Sequence, residues 1–208
     1  MGEILKFPGE AAKLGYRRVR KRGCLRADPN QLDLFLPPPT RIASFSPALG
    51  LFEQALVCDE RGDAQAADLY AKAIENHDCE ADAFCNLGII ESKNGNTAKA
   101  FDCFTTSLKT DPRHSEAHYN LANLYFEVND FRLAQFHYEM AAEVEPSFAN
   151  VYFNLALAQS INGELAAAID TLVRYQQLVA EDEARNADEL LRNLKQSLAA
   201  KKDSRLGS

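Results

Sequence analysis

The sequence contains no tryptophan, only two methionines, and no apolar run near the ~20 residues that a membrane-spanning helix needs. Residues 1–23 lack the apolar core of a secretory signal, so export by that route is not expected. Lys6 stands where a myristoylation motif has serine or threonine. A phosphate-binding glycine loop, G-x-S-x-G and H-E-x-x-H are all missing, which removes the common signatures of nucleotide, acyl-transfer and zinc-protease chemistry. His77, Cys79 and Cys85, and the pair His114 and His118, lack the tight paired spacing of structural zinc sites. No catalytic residue, metal or cofactor is expected. The five cysteines, Cys24, Cys58, Cys79, Cys85 and Cys103, are odd in number and form no C-x-x-C pair. They indicate a reducing, cytoplasmic setting rather than a disulfide framework.

What is present is an ordinary globular composition. Of 208 residues, 46% are hydrophobic and 25% charged, which excludes wholesale disorder, collagen and a coiled-coil rod. The net charge of −7 conceals an asymmetry: residues 1–28 carry eight basic against three acidic side chains, the rest fifteen against twenty-seven. A basic arm precedes an acidic body. Such an arm binds an anionic surface, nucleic acid included, or folds back on its own body. Residues 1–46 have sparse, aperiodic apolar residues, and Pro8, Pro29, Pro37–Pro39 and, just beyond, Pro47 interrupt any long helix. They read as a flexible arm with a semi-rigid polyproline spacer.

From about residue 48 the sequence becomes periodic. Leu87, Leu121 and Leu155 are 34 apart, as are Gly88, Ala122 and Ala156; Ala100, Ala134 and Ala168; Phe104, Tyr138 and Leu172; and Asn86, Asn120 and Asn154. Large residues three and four apart mark one helical face, the small residue lets a second helix approach, and Gly95-Asn96, Asn129-Asp130 and Gly163-Glu164 supply turns. Pro112 and Pro146 close the second helices. This arrangement resembles the tetratricopeptide repeat. The resemblance implies an all-α, right-handed solenoid of four helix-turn-helix repeats over 47–182 (about 48–80, 81–114, 115–148 and 149–182). Repeat 1 reads as degenerate, with Ala66, Tyr70 and Ala73 out of step and Cys79 in place of proline. The pattern in 183–200, with Leu190, Leu191, Leu194 and Leu198 on one face, reads as a capping helix, and 201–208 as a frayed tail.

The same resemblance implies that the first helix of each pair lines a concave groove that binds an extended peptide. The inward positions carried over are Asn86 and Ile89 in repeat 2, Tyr119, Asn120, Asn123 and Phe126 in repeat 3, and Phe153, Asn154 and Leu157 in repeat 4. A carboxamide donates and accepts, so the ladder Asn86–Asn120–Asn154 suits a peptide backbone of any sequence. Helices ~8–10 Å apart and an extended rise of ~3.3 Å predict about three peptide residues per repeat. Asparagine also commonly supports neighbouring helices, so a scaffold role stands beside ligand contact. Asp82, Glu116 and Glu127 accompany Lys93 in the groove, so it should repel a free carboxylate and prefer a neutral or basic peptide. The function expected is a non-enzymatic interaction scaffold.

A second motif lies in the arm. Gln31-Leu32-Asp33-Leu34-Phe35 resembles the peptide by which bacterial replication and repair proteins dock on the sliding clamp, with Leu34 and Phe35 as apolar anchors. The alternative function is therefore a DNA-associated accessory protein, with Gln31–Phe35 on the clamp and residues 13–26 on nucleic acid. The same apolar residues would otherwise pack on the protein's own repeats.

Overall fold

A computed structural model describes residues 15–20 and 49–206. Among these residues there are nine helices and no strand: α1 (Leu51–Glu60), α2 (Gln65–Glu75), α3 (Glu80–Lys93), α4 (Thr97–Thr110), α5 (Ser115–Glu127), α6 (Phe131–Val144), α7 (Ala149–Ile161), α8 (Leu165–Leu178) and α9 (Glu181–Leu206). Each helix packs on the next, giving four antiparallel pairs stacked in chain order, with α9 covering α8.

The turns and stops follow from backbone chemistry. Gly62, Gly95 and Gly163 take φ of 72°, 79° and 83°, and Asn129 takes 63° at the equivalent place in repeat 3. These left-handed residues reverse the chain between the two helices of each pair. Asp111 and Glu145, each before a proline, have φ of −132° and extended or near-extended ψ, since proline excludes the helical conformation from its predecessor. Asp130 caps α6 by accepting the Leu133 amide at 3.1 Å.

The core is a succession of interhelical layers. Ala66, Ala100, Ala134 and Ala168 are buried, as are Tyr70, Phe104, Tyr138 and Leu172. Repeat 1 is therefore in step with the others, which corrects the reading of it as out of register. Counting back 34 from Pro112 lands on Asp78, not Cys79. Its carboxylate accepts the Phe52 amide at 3.1 Å and so satisfies an orphan donor in the first turn of α1. Without a proline, the α2–α3 connection uses two positive-φ residues, His77 (52°) and Cys79 (55°). Cys79 is disulfide-bonded, whereas Cys58, Cys85 and Cys103 are free thiols. A disulfide at this residue departs from the expectation of a fully reduced set.

Two further corrections concern the ends. Helix α9 continues to Leu206, beyond residue 200 where the cap was expected to stop. Helical propagation adds a hydrogen bond for each residue it fixes, and no glycine or proline intervenes before Gly207. Within the expected flexible arm, residues 15–20 are extended and partly or wholly buried except at Gly15 and Arg20.

Repeat 3 contains a pair of histidines between its helices. His118 Nε2 lies 3.1 Å from the Pro112 carbonyl, and its Nδ1 lies 3.0 Å from His137 Nδ1. If His118 donates from Nε2, its bare Nδ1 accepts the His137 N–H, an arrangement that requires His118 to be neutral. Burial lowers the His118 pKa, and burial followed by the His118 charge pushes His137 down to about 4. An unfolded histidine titrates near 6.5, so the unfolded chain binds more protons between the two values. The stability from this pair is complete above pH 6.5 and is lost as pH falls toward 4. Melting temperatures compared at pH 7 and pH 4.5 should fall more for the native chain than for His137→Gln; equal falls would contradict this.

Gly88 shows how closely the helices approach. A Cβ there would lie 2.7 Å from Phe104 Cε1 and 3.1 Å from Cys103 Cβ, and Phe104 is fully buried. Gly88→Ala would gain about 1 kcal/mol of helix propensity. It would lose more by forcing the ring aside, since overpacking costs ~1–3 kcal/mol. Denaturant unfolding should show a lower midpoint with an unchanged slope.

Candidate functional site

The periodicity that builds the solenoid also aligns its odd-numbered helices, and residues 15–20 lie along them. The two central contacts are alike. Arg17 N–H donates to Asn120 Oδ1 at 2.8 Å, and Asn120 Nδ2 donates to Arg17 O at 2.9 Å. Val19 N–H donates to Asn86 Oδ1 at 2.9 Å, and Asn86 Nδ2 donates to Val19 O at 3.0 Å. Each carboxamide thus engages both polar groups of one peptide residue. Alternate residues of an extended chain turn these groups to the same edge, so Arg17 and Val19 can both face the asparagines.

The segment advances two residues per repeat, not the three expected from helix spacing. The bonding groups are side-chain tips, whose spacing the distance between helix axes does not fix. Residue numbers along the segment rise as repeat numbers fall.

Side chains fix the register. Val19 is fully buried in one cluster with Cys85, Ile89, Ala117 and Leu121. The Arg17 guanidinium donates to both oxygens of Glu145, at 2.8 and 3.0 Å, and its carbon lies 3.9 Å from the centre of the Phe148 ring. This combines a bidentate ion pair with a cation–π contact. Arg18 reaches Asp59 at 2.6 and 2.7 Å. Asp59 also accepts from Tyr70 Oη at 3.3 Å, and Tyr70 Oη accepts from Asn86 Nδ2 at 3.1 Å. A hydrogen-bonded path therefore leaves the segment at Val19 O and returns at Arg18. Burial, then the Asp59 charge, raises the Tyr70 pKa, keeping this phenol a donor.

Tyr16 lies nearly parallel to Phe104, with ring centres 6.3 Å apart. Its hydroxyl accepts from Ser92 Oγ at 2.5 Å and donates toward the Glu127 carboxylate, 3.3 Å from each oxygen. Burial pushes the Tyr16 hydroxyl up to about 12 and also raises the Glu127 carboxyl, which the hydrogen bond from Tyr16 restrains. Arg20 approaches Glu60 at 3.8 Å, but both are well exposed and the pair adds little. A cavity of about 580 Å³ runs beside the segment, bordered on the body side by Ile89, Lys93 and Glu116.

The magnitudes decide which contacts matter. Hydrogen bonds contribute ~0.5–1.5 kcal/mol each and a buried valine ~1.5–3 kcal/mol. Fixing a residue's backbone costs ~1–2 kcal/mol. For six residues, gain and cost are of similar size, so the docked state depends on the four asparagine bonds and Val19.

Of the residues expected to line a peptide site, Asn86, Ile89 and Asn120 meet the segment. Among the described residues, Asn154 Nδ2 donates to Tyr119 Oη and to Asn123 Oδ1, both at 3.3 Å. Asn123 also accepts from Tyr138 Oη at 2.6 Å. Tyr119, Phe153 and Leu157 are almost wholly buried, and Phe126 packs edge-on against Phe131. Asn123 is thus buried and hydrogen-bonded within the body. Sequence reasoning missed Ser92, Glu145 and Phe148; the excess of acidic residues in the body was the only signal for Glu145. Residues Gln31, Leu32, Asp33, Leu34 and Phe35 lie outside the described residues. Among the described residues, no three of His, Cys, Asp and Glu group as a metal site, and no helix is long and apolar enough to cross a membrane.

Comparison with known proteins agrees with the fold. Tetratricopeptide-repeat family models match residues 85–127, 115–148 and 137–170. Human tetratricopeptide repeat protein 6 is 26% identical over 108 residues, covering 52% of this chain and 21% of that protein. Mouse tetratricopeptide repeat protein 8 is 30% identical over 125 residues, covering 60% and 24%. The chain therefore spans about a quarter or less of these relatives. Among solved structures, the first tetratricopeptide domain of Spaghetti (RPAP3) bound to the HSP90 peptide SRMEEVD is similar, with 26% identity and a TM-score of 0.53 over 57% of this chain and 93% of that one. The TPR2B domain of yeast Sti1 in its pHsp70 complex gives 25% identity and a TM-score of 0.52 over 56% of this chain and 97% of that one. MamA is 17% identical with a TM-score of 0.55 over 77% and 98%, a likeness of fold. Residues 85–170 are tetratricopeptide repeats, and the chain folds as a solenoid built from them.

Proposed function

We propose that this protein is a non-enzymatic interaction scaffold that holds an extended peptide in its concave groove, with Asn86 and Asn120 as the backbone-binding residues. The observation that carries this reading is the pair of two-way contacts to Arg17 and Val19. They read backbone, so they are open to any chain of suitable register. Two similar domains are described with HSP90 and Hsp70 ligands, which supports a peptide role for the groove. The HSP90 peptide of that complex, SRMEEVD, is acidic. This groove places Asp59, Glu127 and Glu145 against the segment, so it favours the opposite charge.

No observation favours the DNA-associated alternative. Arg17 and Arg18 are engaged by carboxylates of the body instead of being free for phosphates. Clamp docking through Gln31–Phe35 has no support among the described residues.

A library of displayed peptides panned against the full chain tests the proposal. Enriched peptides should lose roughly 30-fold or more affinity for Asn86→Ala/Asn120→Ala, because four bonds of at least ~0.5 kcal/mol each are removed. Circular dichroism must show the variant fully helical. Unchanged affinity would assign both asparagines to the scaffold.

A further inference from the structure

The groove's preferred partner can be read from what occupies it. We propose that the groove recognises a basic extended segment of another protein, with arginine and a small branched aliphatic residue two positions apart, and that residues 15–20 are a built-in competitor for it. This rests on the reading of the groove as a peptide site.

The spacing follows from the asparagines, which hold residues two apart. The first position needs a planar cation. Glu145 takes both arms of the Arg17 fork while Phe148 meets its face, and a lysine ammonium can do neither as well. Ser115 Oγ lies 3.0 Å from Glu145 Oε2 and helps to hold that carboxylate in place. The second position is fully buried at Val19, in one cluster with Cys85, Ile89 and Leu121, which suits a compact aliphatic side chain. Between them the side chain turns away toward Asp59, as Arg18 does, and before them an aromatic ring can stack on Phe104, as Tyr16 does. The groove therefore selects aromatic–Arg–basic–aliphatic.

Competition follows from the nature of the hold. The asparagine contacts recognise no side chain, so an incoming chain of the same register can take the place of this one. A tethered occupant lowers a partner's apparent affinity by the fraction of molecules in which the groove is open.

The probe is a fluorescein-labelled peptide with the sequence Gly-Tyr-Arg-Arg-Val-Arg, followed by anisotropy on full-length protein. In the native chain the groove is occupied; in Arg17→Ala/Val19→Ser, checked for native helicity by circular dichroism, it is released. The released chain should bind the probe at least about tenfold more tightly. Replacing the probe's first arginine by lysine should weaken binding, and SRMEEVD should not bind. If Val19→Ser impairs folding, Arg17→Glu/Arg18→Glu releases the segment by charge alone. Equal affinity for native and released chains would overturn the competition while leaving the groove a peptide site. No binding by a released chain with native helicity would overturn both. A concentration-dependent native dimer abolished by Asn86→Ala would make a second copy the occupant and overturn the separate partner.

Discussion

The account depends on one interaction, the two-way hydrogen bonding of an asparagine carboxamide to a single extended residue. A carboxamide presents a donor and an acceptor side by side, as a peptide edge does. One such group satisfies both polar atoms of its partner, which matters because Val19 is fully buried and an unmet backbone group there would be costly. The solenoid repeats the device in space. A 34-residue step in sequence becomes a fixed step along the groove, and Asn86 and Asn120 lie in line because α3 and α5 are equivalent helices. Loss of register between the repeats would separate the carboxamides from their targets.

Around these contacts, charge determines which chain is held. The groove faces the segment with carboxylates, two of which form bidentate or near-bidentate pairs with Arg17 and Arg18. Such partly exposed pairs contribute modestly to stability, but they discriminate strongly, since an acidic residue in either place would meet repulsion. The same fold can therefore serve ligands of opposite charge: backbone capture belongs to the architecture, and selection belongs to a few side chains at its edge.

Much of this was legible in the sequence. The 34-residue period locates the helices of repeats 2 to 4, and the left-handed turns fall at Gly95, Asn129 and Gly163 because few other residue types tolerate that backbone. The asparagine ladder is visible because its members share the period. The occupant is harder to see. Its bonds join residues 67 and 103 apart, and no local pattern encodes a contact of that range. Only the opposition of a basic arm and an acidic body hinted at it. The two-residue spacing was hidden because helix periodicity does not specify how far apart the side-chain tips lie. Asn123 shows the converse limit: its position resembles the ladder, yet Tyr138 Oη donates to it and makes it part of the core.

Amide hydrogen exchange resolved at single residues tests the central claim most directly. The Arg17 and Val19 amides donate to buried asparagines, whereas exposed Arg20 has no comparable partner among the described contacts. In the native chain Arg17 and Val19 should exchange far more slowly than Arg20, and Asn86→Ala/Asn120→Ala should abolish that protection while α3 and α5 remain protected. Exchange of Arg17 and Val19 at the rate of an unstructured peptide in the native chain would contradict the account.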